Sequence, residues 1–254
     1  MERLAGRVAV VTGAASGIGA AICTILVKHG MIVCGLARRK DKVEALRLSL
    51  FGAEGQLNAV ECDITKDEDV KRAYQWIEKT LGGIDLLINN AGVVSSCMLL
   101  DDNNTRELRS MLEANLIGLC ICTRDAIKLM RQRGFDGHIV NINSIFGHKV
   151  SQAVPGTKPI NGMYPTCKFA LTALTECLRQ EVAYVEMGIK VSNISPGLVE
   201  NDILTTSGSD ENELVKYMPR LKPDDVAQAV VFAITMPQNV LIQDIIMKPM
   251  GEFL

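Results

Sequence analysis

Apolar residues follow two spacings along this chain, and the two alternate. Short stretches rich in apolar residues occupy 7–12 (RVAVVT), 31–36 (MIVCGL), 56–61, 84–88 (IDLLI), 138–142, 189–194 and 243–247. Runs this short between turn residues predict strands buried on both faces. Between them apolar positions recur at helical spacing. Ile18, Ile22, Ile25 and Leu26 predict a helix that Gly30 stops. Further helices are predicted over 40–50, 67–81, 105–130, 163–186 and from Pro223 to about Ala233, with Pro223 in a first turn that needs no N–H from it. In 105–130 the apolar side carries Leu108, Met111, Leu112, Leu116, Leu119 and Ile127. No repeat, linker or low-complexity stretch interrupts the alternation. It predicts one α/β domain over residues 1–254, with a doubly wound parallel sheet of about seven strands and helices on both faces.

Composition narrows what such a domain does. The 254 residues are 48% hydrophobic and 22% charged, enough for a large core, and the net charge is −2. The longest basic run is Arg38-Arg39-Lys40. Electrostatics therefore give no nucleic acid or anionic membrane surface as partner. No apolar run approaches the ~18 residues of a membrane span. The start of the chain carries no secretory signal pattern, and the eight cysteines are scattered through predicted strands and helices. Reduced thiols in a cytoplasmic protein are expected. Cys120 and Cys122 lie far from any histidine, so no metal site is expected.

The candidate chemistry sits at strand ends. Gly13-Ala14-Ala15-Ser16-Gly17-Ile18-Gly19 joins a predicted strand to a predicted helix inside a βαβ unit. Gly13 suits the tight turn. Gly17 and Gly19 let backbone approach a pyrophosphate and let the helix pack, and the helix N-terminus offers free N–H groups. The second strand ends in Ala37-Arg38-Arg39 rather than in an acid that would accept from ribose hydroxyls. A guanidinium there pairs with a 2′-phosphate, which favours NADP(H) over NAD(H); the alternative is two solvated arginines. Asp63, just past the third strand, either meets the adenine or caps the following helix. Asn89-Asn90-Ala91-Gly92 ends the fourth strand, with asparagines placed to hold the loop and small residues placed to admit a ribose. Asn115 falls inside an apolar helix surface, as a satisfied core amide or as a binder of water near the site. Ser144 ends the fifth strand at the edge where such sheets bind ligands. Tyr164 and Lys168 share a helix face, and an ammonium there favours the phenolate and lowers the tyrosine's proton affinity.

Together these residues resemble a family. Thr12-Gly13-x-x-x-Gly17-Ile18-Gly19, Asn89-Asn90-Ala91-Gly92, Asn115, Ser144, Tyr164-x-x-x-Lys168 and Pro196-Gly197 stand in the order and approximate spacing of the short-chain dehydrogenase/reductases, over nearly the whole chain. Ala37-Arg38-Arg39, the stretch 141–148 and the stretch 171–181 are similar to the NADP-dependent farnesol dehydrogenase-like group, which includes reductases of steroid ketones. The resemblance implies a Rossmann-type fold and hydride transfer between NADP(H) and an alcohol or carbonyl carbon. It gives Tyr164 the proton exchange with the substrate oxygen and Ser144 a hydrogen bond to that oxygen. Lys168 lowers the Tyr164 pKa and binds the nicotinamide ribose, and Asn115 holds a water linking Lys168 to solvent. It places cofactor contacts at Gly13, Ser16, Gly17, Ile18, Gly19, Arg38, Arg39, Asp63, Ile64, Asn90, Ala91, Gly92, Tyr164, Lys168, Pro196, Gly197, Val199 and Asn201. It also implies a homodimer or homotetramer built on the helices at 105–130 and 163–186.

The chain departs from the family pattern in three places. Pro165 follows Tyr164 directly, which puts Tyr164 at the start of its helix. Ser144 and Tyr164 stand 20 positions apart, longer than is usual, so an excursion over 149–163 is expected beside the pocket. Asn201 stands near the place of the threonine that usually follows Pro-Gly. The substrate pocket is expected from Val93, Val94, Met98, Ile145, Phe146, Val154, Met163, Leu198, Ile203 and Leu204, with a substrate-binding segment at about 198–222. These side chains suit a small apolar alcohol or carbonyl compound. The rival readings are a cofactor-binding regulator and an apolar-ligand carrier, both without turnover.

Overall fold

The computed structural model describes residues 4–134, 136–152, 162–200 and 218–252. Within them β1 (Val8–Thr12), β2 (Ile32–Ala37), β3 (Gln56–Glu61), β4 (Leu86–Asn89), β5 (His138–Ile142), β6 (Lys190–Pro196) and β7 (Asp244–Met247) form one sheet, in the order β3-β2-β1-β4-β5-β6-β7. Every neighbouring pair is parallel. This is the doubly wound Rossmann arrangement. Its strand order reverses between β1 and β4, and that reversal opens a crevice at the strands' C-terminal ends.

The helices are α1 (Gly17–Lys28), α2 (Lys40–Ser49), α3 (Asp67–Leu81), α4 (Thr105–Leu112), α5 (Gly118–Gln132), α6 (Tyr164–Tyr184) and α7 (Pro223–Thr235). Two cores result, because successive strand residues point to opposite faces. Ala9 and Val11 of β1 pack with Ile22 and Leu26 of α1 and with Val226 and Val230 of α7. Val10, between them, packs with Ile77 of α3, Met130 of α5 and Val182 of α6. Both faces of β1 and β2 are therefore apolar, which is why they read as nearly unbroken runs, while the outer β3 and β7 are only partly buried. The eight cysteines are free thiols.

The structure corrects one element. The stretch 105–130, read as a single helix, is α4 and α5 joined by a π turn at Glu113–Ile117. The wider turn adds a residue to the helical repeat, which an apolar pattern does not register. Asn115 lies within this turn and is buried.

A row of buried amides crosses the sheet near its C-terminal edge. Asn89, Asn141 and Asn193 are partners in the parallel register of β4, β5 and β6. Asn89 Nδ2 donates to Asn141 Oδ1 and to the Thr123 hydroxyl of α5, both at 2.9 Å. Asn141 Nδ2 donates to Thr175 Oγ1 of α6 at 3.0 Å. That hydroxyl sits between Asn193 Oδ1 (2.9 Å) and the Leu171 carbonyl (2.8 Å). A slip of one residue in any strand would turn its amide to the other face and leave partners unpaired, at about 1–3 kcal/mol each. The row thus pins the register of the strands that carry the site.

Candidate functional site

β1 ends at Thr12 and the chain turns at Gly13, in the left-handed region at φ +69. A Cβ at Gly13 would come 2.8 Å from Ala91 Cα, and one at Gly19 would overlap the Gly13 carbonyl. These glycines let α1 close onto the turn. Thr12 Oγ1 accepts from the Asn90 and Ala91 N–H groups, each at 3.0 Å. Asn90 Nδ2 returns bonds to the Thr12 and Gly13 carbonyls at 3.0 and 3.2 Å. Asn90 therefore holds the loop, as its place at a strand end suggests. Asn89 turns the opposite way, into the amide row.

Beside this knot lies a cavity of about 640 Å³. Gly13, Ser16, Gly17 and Ile18 form its floor, Arg38 and Arg39 one wall, and Asp63 and Ile64 another; Asn90, Ala91 and Gly92 complete it. Ser16 is the N-cap of α1, yet its hydroxyl makes no capping bond. It accepts instead from the Arg39 guanidinium at 3.4 Å. The first-turn N–H groups of α1 are left without a side-chain cap and face an anion-sized space. Asp63 lines the cavity, and its carboxylate accepts from the Thr65 N–H (3.1 Å) and hydroxyl (2.8 Å), folding the turn before α3 rather than capping it. The cavity also takes in Ser110 and Ala114, which the sequence reading missed. Two small residues one turn apart, leading to Asn115, were the available signal.

The second cluster grows from β5 and α6. Ser144 caps the short turn Ile145–Gly147, its Oγ accepting from the Phe146 N–H at 3.1 Å. Tyr164 opens α6, with Pro165 in the first turn where its missing N–H leaves no gap. Its hydroxyl lies close enough to the Ser144 side chain for that group to favour the phenolate. The Phe146 ring packs edge-on against it, centroids 6.3 Å apart at 87°. Lys168 lies one turn on, buried, with Nζ 5.5 Å from the Tyr164 ring centre and donating to the Ile142 carbonyl at 2.8 Å. Burial lowers its pKa from 10.5 to about 8.

Burial of Tyr164 works against the expected lowering of its pKa. It pushes the hydroxyl up to about 12; nearby Ser144 pulls the other way and the neighbouring Cys167 adds to the rise. Lys168 turns its ammonium to the Ile142 carbonyl. Tyr164 keeps some exposure, so its surroundings are protein on most sides rather than all.

Asn115 stands between the two clusters. Its Oδ1 accepts from the Val93 N–H at 2.8 Å and its Nδ2 donates to the Val93 carbonyl at 2.9 Å. The Cys167 side chain of α6 lies near it. It is a satisfied amide that fixes the loop after Gly92. Pro196 ends β6, and Gly197 and Val199 follow it at the same sheet edge, but the three do not line the cavity, and Gly19 lies beneath it. Asn201, Val154, Ile203 and Leu204 lie outside the described residues, as do most of the 149–163 excursion and of the segment at 198–222. His148, not singled out from sequence, lies 3.0 Å from Ser195 Oγ and 3.4 Å from Asp244, tying the Ser144 turn to β6 and β7.

Residues 7–212 match the family model for short chain dehydrogenase. The chain belongs to that family. This short-chain dehydrogenase is 44% identical to farnesol dehydrogenase of Aedes aegypti, over 99% of each chain. It is 40% identical to dehydrogenase/reductase SDR family member 11 of Gallus gallus, over 98% of each. Among solved structures, serine dehydrogenase complexed with NADP+ superposes with a TM-score of 0.81 at 25% identity, covering 94% of both chains. The chain is thus an oxidoreductase of the farnesol dehydrogenase-like group. Among its described residues no helix is long and apolar enough to cross a membrane.

Proposed function

We propose that this short-chain dehydrogenase interconverts an apolar alcohol and its carbonyl compound with NADP(H), the substrate being an isoprenoid alcohol such as farnesol or a steroid ketone. The observation that carries the reading is the meeting of Tyr164 and Ser144, with Lys168 one turn behind, at the sheet edge that also carries the glycine-floored cavity. The glycines that close the turn and the uncapped N-terminus of α1 fit a pyrophosphate. Exposed Arg38 and Arg39, next to neutral Ala37, fit a 2′-phosphate. NADP(H), when bound, supplies or accepts the hydride.

The chain's own residues handle the proton and the geometry. With its hydroxyl near 12, Tyr164 is protonated at neutral pH, the form that donates to a carbonyl oxygen during reduction. Ser144 donates a second hydrogen bond to that oxygen and fixes its distance from Tyr164. Lys168 keeps positive charge behind the ring, which favours the phenolate left after donation. Phe146 and Met163 flank Tyr164 with apolar surface, which suits an apolar substrate. Asn115 holds the Val93 loop and, in this reading, a water in line with Lys168. The free thiols suit the cytoplasm. Exposed Ile117 on the π turn and Phe169 on α6 suit burial in a homodimer or homotetramer, which light scattering measures.

The test is NADPH consumption with farnesal, medium-chain aldehydes and steroid ketones, wild type beside Tyr164→Phe. Turnover by wild type and a loss of about 10²–10⁴-fold in the variant, with NADPH binding retained, is the expected result. NADPH binding with no turnover on any substrate would instead make the protein a cofactor-binding regulator.

A further inference from the structure

The chain after β7 returns to the site through one carboxylate. Glu252 has a fully buried side chain, and its Oε2 accepts from the Leu198 N–H at 3.0 Å. The carboxylate lies directly over Gly197, where an added Cβ would overlap it. Oε1 faces the Lys248 ammonium at 3.6 Å. The Lys149 ammonium lies near Lys248, and the two like charges repel while Glu252 offsets them. A buried carboxylate is costly unless its bonds and counter-charges are in place. Here the donor comes from the segment after β6 and the counter-charge from the chain after β7.

That segment leaves β6, the neighbour of the strand that leads to Ser144. Lys149 donates its backbone N–H to the Ile145 carbonyl at 3.1 Å, so it sits on the turn that carries Ser144. Leu198 begins the segment after β6, whose base is closed by Glu200 N–H to the Leu221 carbonyl and Leu221 N–H to the Leu198 carbonyl, each at 2.8 Å. The Gly197 N–H donates to the Met247 carbonyl at 2.7 Å. Glu252 thus adds the bond that sets the direction in which the chain leaves Gly197. We infer that Glu252 is a positioning residue, tying the foot of the segment after β6 at Leu198 to the chain after β7 so that the apolar substrate is held against Tyr164 and Ser144.

The kinetic part of this inference rests on the oxidoreductase reading; the tether itself does not. Amide hydrogen exchange on the full chain reads the tether without any activity. Glu252→Ala is expected to speed exchange at Leu198 by about tenfold or more and to leave β1 and β2 unchanged. Glu252→Gln, whose amide oxygen still accepts from Leu198, is expected to keep that protection. In turnover, Glu252→Ala is expected to raise KM for the carbonyl substrate about tenfold while kcat and KM for NADPH change less than about twofold, with Glu252→Gln restoring most of the loss. Gly197→Ala is expected to raise the same KM in the wild-type background and to add little in the Glu252→Ala background, where the space beside Gly197 is free.

Unchanged Leu198 exchange in Glu252→Ala overturns the tether. Faster exchange with an unchanged substrate KM overturns the positioning role. Equal loss in the Gln and Ala variants does the same, and Glu252→Gln keeps the comparison informative if the Ala variant folds poorly. Wild type that turns over no carbonyl compound refutes the oxidoreductase reading alone, because the exchange data still decide the tether.

Discussion

Replacing Lys168 by methionine is expected to make the protein more stable while abolishing turnover. Lys168 is 8% exposed, and burial takes its pKa from 10.5 to about 8. At about 1.4 kcal/mol per factor of ten in proton affinity, keeping the ammonium charged in the folded state costs about 3 kcal/mol at neutral pH. Methionine fills a similar volume without charge. It forfeits the bond to the Ile142 carbonyl, worth about 1 kcal/mol. The net gain is about 2 kcal/mol, or ~4–8 °C in Tm for a domain of this size. The pH dependence identifies the cause. Below pH 8 both folded and unfolded wild type hold the proton, so the full cost is present. Between about pH 8 and 10.5 only the unfolded chain holds it, so wild-type stability rises with pH through that window and the advantage of Lys168→Met shrinks. Urea unfolding of both proteins at pH 7, 8.5 and 10, buffered at constant ionic strength, measures this. A variant less stable than wild type at pH 7, or a gap that stays constant up to pH 10, would refute the reasoning.

Three further substitutions probe the parts around it. Arg38→Asp is expected to move cofactor preference toward NAD(H), read as the ratio of kcat/KM for the two cofactors; equal values in the wild type would contradict the assignment of Arg38 to the 2′-phosphate. Asn115→Ala removes both bonds to the Val93 backbone and is expected to cost about 2–3 kcal/mol in a urea titration and to lower kcat. Gly19→Ala drives a methyl into the Gly13 carbonyl and Asn90 and is expected to cost about 1–3 kcal/mol and to weaken NADPH binding measured by fluorescence titration.

What was legible in the sequence follows from what kind of force sets each feature. β3, β5 and α3 lie where the pattern put them, at 56–61, 138–142 and 67–81, because their inward residues, among them Leu57, Ile139, Val70 and Ile77, are buried in the two cores. The glycine turn was legible because few residues besides glycine tolerate φ +69 against Ala91. The π turn at Glu113–Ile117 was not, since it changes hydrogen bonding without changing which residues are apolar. The rise at Tyr164 was also hidden: sequence shows a lysine one turn away, but only packing shows how far both groups are removed from water. Contacts between distant segments left no local trace either. Nothing near His148 points to Asp244, and nothing near Leu198 points to Glu252.

The amide row through Asn89, Asn141 and Asn193 has a consequence for how new specificities arise on this scaffold. It works as a ruler laid across the sheet, fixing the spacing between the strand ends that carry Asn90, Ser144 and Pro196. On the proposed function, the stretches rooted just beyond it, before Tyr164 and after Val199, meet the substrate and do not set that spacing. Their length and composition are therefore free to drift, or to be exchanged between relatives, without re-tuning the proton-transfer atoms. A scaffold graduated in this way separates the choice of molecule from the chemistry done on it.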